Sequence, residues 1–105
     1  MDVSQRIKET VDSNRVMLFM KGNRDFPQCG FSGRAIQILQ ALGAEFETAD
    51  VLMDDEIRQG IKEFSNWPTV PQLYINGEFV GGSDIMMEMY ENGELKKALS
   101  QTPET

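Results

Sequence analysis

Apolar residues recur along this chain in distinct rhythms, and each rhythm predicts an element. Val3, Ile7 and Val11 stand at i, i+4 and i+8 on an otherwise polar segment. That spacing predicts an amphipathic first helix, capped by Asp2 and ended by Asp12-Ser13-Asn14. Val16-Met17-Leu18-Phe19-Met20 is an unbroken apolar run, as in a central strand buried on both faces. Between Gly22 and Gln28 the turn residues Asn23, Arg24, Asp25 and Pro27 predict a loop. Helical spacing returns with Ala35, Ile36, Ile38, Leu39 and Leu42, giving a second helix from Gly30 to Leu42 with Gly43 as its stop.

Glu45 to Val51 predicts a second strand. Strand, helix and strand in that order make a βαβ unit with parallel strands. Asp54, Asp55 and Glu56 bring acid to the first turn of a third helix, whose buried face is Ile57, Ile61 and Phe64. Asn66-Trp67-Pro68 breaks it. Gln72 to Ile75 and Glu78 to Val80 flank Asn76-Gly77, the preferred dipeptide of a type I′ hairpin turn. After Gly81-Gly82, Ser83 is the expected N-cap of a helix carrying Ile85, Met86, Met89 and Tyr90. Asn92-Gly93 interrupts it, Glu94 to Leu99 closes the fold, and Gln101 to Thr105 is expected to fray. The order αβα-βα-ββαα predicts an α/β fold of thioredoxin-like arrangement, a mixed four-stranded sheet flanked by helices. A single domain over residues 1–105 is expected, with no repeat or linker.

Composition narrows the function. The net charge of −7 argues against nucleic acid as a partner, because such binding relies on Lys and Arg neutralising phosphates. No apolar run approaches the roughly 20 residues of a membrane span, and the polar N-terminus carries no visible export signal. One cysteine excludes an internal disulfide, and zero histidines remove the commonest metal ligand and general base. A reducing, cytoplasmic compartment is the expectation.

The candidate chemistry centres on Cys29-Gly30-Phe31-Ser32, where a loop opens into the second helix. Unpaired N–H groups and the helix dipole favour negative charge there. A cysteine in such a place can have its pKa lowered from about 8.5 into roughly 3.5–7.5. The alternative is a small buried, inert thiol. Ser32 stands where a C-x-x-C pair holds its resolving thiol, so a mixed disulfide at Cys29 needs an external thiol to resolve it. Lys21, ending the first strand, is either a partner for a thiolate or carboxylate or a solvated surface lysine. Thr69-Val70-Pro71 enters a strand; a cis bond before Pro71 would expose Val70 backbone groups, but local sequence does not distinguish it from trans. Gly81-Gly82-Ser83-Asp84 serves either a turn alone or a carboxylate at a helix N-terminus. Met86, Met87 and Met89 share one helix, as core filler or as a partner face. Trp67 is read as a packing anchor.

Taken together, Lys21-Gly22, Phe26 to Ser32, Arg58-Gln59-Gly60, Trp67 to Gln72 and Asn76 to Asp84 resemble the monothiol glutaredoxins of the Cys-Gly-Phe-Ser class. The resemblance covers nearly the whole chain and is to the short, single-domain members. It implies a thioredoxin fold with a cis Val70-Pro71 bond and a glutathione groove beside Cys29 and Phe31. By position, Lys21 and Arg58 would hold the glycyl carboxylate, with Lys62 a further candidate. Thr69 and Val70 would contact the cysteinyl part, and Gly82, Ser83 and Asp84 the γ-glutamyl end. The family also implies a 2Fe–2S cluster shared by two subunits, with Cys29 and a glutathione sulfur from each, matching the usual four thiolates. A homodimer with cluster and a monomer without it, BolA-type proteins and iron–sulfur acceptor proteins are the implied partners. Transfer of the cluster is the leading expectation. Weak glutathione-dependent oxidoreductase activity, with Cys29 as nucleophile, is the alternative.

Overall fold

The structure is a computed structural model and describes residues 2–101. Thr102 to Thr105, most of the expected tail, lie outside the described residues. The elements in order are α1 (Val3–Ser13), β1 (Val16–Met20), α2 (Gly30–Ala41), β2 (Glu47–Asp50), a 3-10 turn (Val51–Met53), α3 (Asp55–Ser65), β3 (Gln72–Ile75), β4 (Glu78–Gly81), α4 (Ser83–Asn92) and α5 (Glu94–Ser100). The sheet order is β2-β1-β3-β4, with β1 and β2 parallel and the other pairs antiparallel. This is the thioredoxin-like arrangement expected.

Strand alternation divides the core into two layers. Val16, Leu18 and Met20 of β1, with Leu73 and Ile75 of β3, face Ala35, Ile36, Leu39, Met86 and Leu95 of α2, α4 and α5. Met17, Phe19 and Tyr74 face Ile7, Val11 and Ile61 of α1 and α3. Both faces of β1 are therefore covered, which is why its sequence shows no polar alternation. Burying each such side chain contributes roughly 1.5–3 kcal/mol. The two layers hold rigid the sheet end from which the site is built.

Helix ends follow local chemistry. Asp2 caps α1 in a full capping box with Gln5. Asp54 caps α3 by accepting from Glu56 and Ile57, and it also pairs with Arg6 at 2.7 Å, tying α1 to α3. Asn76 and Gly77 both adopt positive φ, 52° and 82°, as a type I′ turn requires.

Two expectations need correction. The second strand is Glu47–Asp50 rather than Glu45–Val51, because its pairing with β1 runs only from Met17↔Glu47 to Met20↔Asp50. Asp50 then accepts from the Leu52 N–H and turns the chain into the 3-10 segment. Gly82, not Ser83, is the N-cap of α4, since the Gly82 carbonyl accepts the first helical bond from Met86. Of the two readings offered for the α4 methionines, core filler is the one found: Met86 is fully buried, and Met87 and Met89 pack against the same layer.

Candidate functional site

The site lies at the carboxyl ends of the parallel strands, where open α/β sheets leave a crevice. β1 delivers Lys21 to this end, and the following loop returns to deliver Cys29. The loop is closed by backbone bonds from Gln28 N–H to the Lys21 carbonyl at 2.9 Å and from Asn23 N–H to the Phe26 carbonyl at 3.3 Å. The side chain of Asn23 accepts from Asp25 and Phe26, an Asx turn inside the loop. Asp50 at the end of β2 accepts from Gly22 N–H at 2.9 Å and fastens the loop to the sheet.

Ser32 does more than stand in place of a thiol. Its side chain is fully buried, and its Oγ accepts from the Lys21 N–H at 3.1 Å. The start of α2 is thereby pinned to the end of β1. Nothing in the sequence marks this bond, because donor and acceptor lie eleven residues apart.

Cys29 is the N-cap of α2, with extended backbone, and is half-buried. Its Sγ makes no full capping hydrogen bond. It still lies close enough to the first-turn N–H groups to feel them, and its pKa is lowered. The Ser32 backbone N–H is the largest cause; partial burial opposes it; the Phe31 N–H, the Lys21 charge and the Ser32 hydroxyl lower it further. The helix-start argument from sequence thus holds, and the buried-inert reading does not. Alkylation with iodoacetamide is expected to titrate below the free-cysteine value of about 8.5. Lys21→Gln is expected to move that midpoint upward by a few tenths of a unit, on the order of one screened charge. A midpoint at or above the free-thiol value contradicts the assignment.

Beside Cys29 lies a cavity of about 410 Å³, within the range of small-ligand sites. Lys21, Cys29 and Phe31 line it, and Phe31 is 57% exposed. Arg58 and Lys62, one turn apart on α3, supply positive charge. Thr69 and Val70 lie in the segment before β3, and the Val70-Pro71 bond is cis. Gly82, Ser83 and Asp84 bring the start of α4. All ten residues singled out in the sequence therefore line one space.

The cavity also includes Trp67, Pro68, Pro71 and Ile85, which sequence reasoning did not assign to the site. Trp67 packs on Phe79 with ring centroids 5.8 Å apart yet remains 37% exposed, so it is both anchor and wall. Its place beside Thr69-Val70-Pro71 was the available signal.

Two electrostatic features mark the cavity. Among the described residues, Lys21, Arg58 and Lys62 have no salt-bridge partner, and neither does Asp84. Ser83 is 5% exposed, and its Oγ has no hydrogen-bond partner among the described residues. A buried hydroxyl left unpaired costs about 1–3 kcal/mol, and Ser83 is also one of the residues that line the cavity.

No helix among the described residues is long and apolar enough to cross a membrane.

The family described as Glutaredoxin matches residues 16–80. An uncharacterised monothiol glutaredoxin of Synechocystis is 63% identical over 98 residues, 93% of this chain and 92% of that protein. The solution structure of reduced, apo GrxS14 from poplar has 50% identity and a TM-score of 0.80, covering 94% of each chain. The crystal structure of a buckwheat glutaredoxin–glutathione complex has 28% identity and a TM-score of 0.84, covering 93% of this chain and 87% of that one. A lone helix-start cysteine, a buried serine three residues on and a match over most of the chain agree: this protein belongs to the glutaredoxin family, among its monothiol members.

Proposed function

We propose that this protein binds glutathione beside Cys29 and, with it, holds a 2Fe–2S cluster between two subunits for transfer to an acceptor. One observation carries the glutathione reading: a single cavity is lined by the thiol, by the cations Lys21, Arg58 and Lys62, and by Ser83 and the acid Asp84. Glutathione has two carboxylates, one ammonium and one thiol. Lys21 and Arg58, with Lys62 nearby, suit the glycyl carboxylate. The α4 N-terminus with Ser83 suits the γ-glutamyl carboxylate, and Asp84 its ammonium. Thr69 and Val70 offer backbone to the middle of the peptide.

The cluster reading rests on the resemblance to the Cys-Gly-Phe-Ser glutaredoxins, and the count of available ligands is consistent with it. Among the described residues no group of three or more His, Cys, Asp or Glu could hold a metal. Cys29 and one glutathione sulfur give two thiolates, and a symmetric pair of protomers gives the four that such a cluster takes. The protein would be a dimer with its cargo and a monomer without it. BolA-type proteins and iron–sulfur acceptors are the partners this reading implies, in a reducing compartment such as the cytoplasm.

The lowered thiol pKa favours a second activity. The Cys29 thiolate would attack the glutathione sulfur of a mixed disulfide and release the other thiol as thiolate. A second glutathione thiolate would then displace Cys29, leaving glutathione disulfide.

Anaerobic reconstitution with iron and sulfide separates the two. A coloured dimer that forms only with glutathione present supports the carrier. A colourless monomer that turns over a glutathione mixed disulfide leaves only the oxidoreductase. Arg58→Ala is expected to weaken glutathione binding about tenfold, the loss of one charge-assisted contact. Unchanged affinity by calorimetry removes Arg58 from the site.

A further inference from the structure

Gln72 opens β3 and received no role from the sequence. Its side chain is fully enclosed, 0% exposed. Nε2 donates to the carbonyls of Trp67 at 3.2 Å and Thr69 at 3.1 Å. Oε1 accepts from the Tyr74 hydroxyl at 3.1 Å. Only the amide nitrogen can face two carbonyls, so the network fixes which way the amide points. Tyr74 is itself immobilised, with Phe19, Phe64 and Phe79 at centroid distances of 5.7, 6.0 and 5.4 Å. Burial pushes its phenol up to about 12, so it stays a donor at neutral pH.

This anchoring decides the direction of a peptide plane. The cis bond is Val70-Pro71, and the Thr69-Val70 peptide is trans. In a trans peptide the carbonyl and the N–H point to opposite sides. The Thr69 carbonyl turns inward to Gln72, so the Val70 N–H turns outward, where Thr69 and Val70 line the cavity. No acceptor for that N–H is found among the described residues.

We propose that Gln72 is a positioning residue: by holding the Trp67 and Thr69 carbonyls inward, it aims the Val70 N–H at a carbonyl in the middle of the bound peptide. The inference rests on the glutathione reading and deepens it. Without the Gln72 amide the Thr69-Val70 plane is free to rotate. A carbonyl would then face the ligand's carbonyl, replacing attraction by repulsion.

The test uses S-methylglutathione, which cannot form a disulfide, titrated into the labelled protein and followed by amide NMR. In the wild type, the Val70 amide signal is expected to move downfield as the ligand saturates. Gln72→Met keeps length and removes both donors. It is expected to bind about tenfold more weakly, one hydrogen bond's worth, and to lose the Val70 response while Lys21 and Ser83 still respond at saturation. Weaker binding with the Val70 response intact assigns Gln72 a merely structural role and overturns the proposal. Unchanged affinity and response overturn it too, and leave the glutathione reading standing. No binding by the wild type removes the glutathione reading and this inference with it. Should Gln72→Met not fold, Tyr74→Phe decides: it keeps the ring and frees only one end of the amide. About threefold weaker binding with a reduced Val70 shift is expected there, and no change overturns the proposal.

Discussion

Cys29→Ser is expected to abolish cluster reconstitution and alkylation while raising the melting temperature. Loss of function follows from the count of sulfurs: the chain has one cysteine, and a hydroxyl is neither a soft thiolate ligand nor a nucleophile at neutral pH. The gain in stability follows from position. Residue 29 is the N-cap of α2, its backbone is extended at φ −154° and ψ 141°, and its sulfur makes no capping hydrogen bond. Serine is among the preferred residues there, with a gain of about 0.5–1 kcal/mol over a non-capping side chain. For a chain of this size that amounts to a rise of about 3–6 °C. Thermal melting of both proteins by circular dichroism checks it. A melting temperature that falls shows the thiol to be part of the packing rather than a group held against the helix's own preference. A Cys29→Ser protein that still binds a cluster sinks the ligand assignment.

Gly22→Ala is expected to cost about 2–4 kcal/mol, combining an unfavourable left-handed backbone with a steric clash. Gly22 has φ +87°, and an added Cβ would overlap the Phe26 carbonyl oxygen and lie 2.7 Å from the Gln28 nitrogen. Those atoms are backbone and cannot swing aside. Relief requires opening the bridge between Gly22 and Pro27, or the bond from Gln28 N–H to the Lys21 carbonyl. Either change moves Cys29, the next residue along. The melting temperature is expected to fall by about 10–20 °C, and alkylation of the remaining folded protein to lose its low-pH component. Gly30→Ala is the control, because nothing lies within 4 Å of a Cβ there and its φ is not positive. A Gly22→Ala melting temperature within a few degrees of wild type means that the loop adapts without disturbing the thiol.

Both expectations concern one corner, and that corner joins local and distant causes. The dipole and N–H groups that lower the thiol pKa belong to α2 alone. The position of the thiol against Lys21 depends on Ser32, Asp50 and Gln28, drawn from three parts of the chain. A low-pKa cysteine was therefore foreseeable, and its exact neighbours were not.

The amino-acid sequence by itself determined what local physics controls. The stripe of Val3, Ile7 and Val11 required an amphipathic helix. Asn76-Gly77 required the positive φ values of a type I′ turn, and Gly43, at φ 67°, ends the second helix as expected. The βαβ order imposed parallel pairing, and the ten residues that the resemblance named line one cavity. Tertiary structure alone decided the rest. β2 ends where β1 stops offering partners, not where its own apolar pattern ends. The methionines of α4 turn inward because α2 packs on that helix. Val70-Pro71 is cis, an isomer that local sequence leaves undecided. Ser32, Ser83 and Gln72 are small or medium polar residues whose meaning lies in what they meet, or fail to meet, once buried. Periodicity and turn preference act over a few residues of chain, whereas a buried hydrogen bond is specified only when distant segments are brought together.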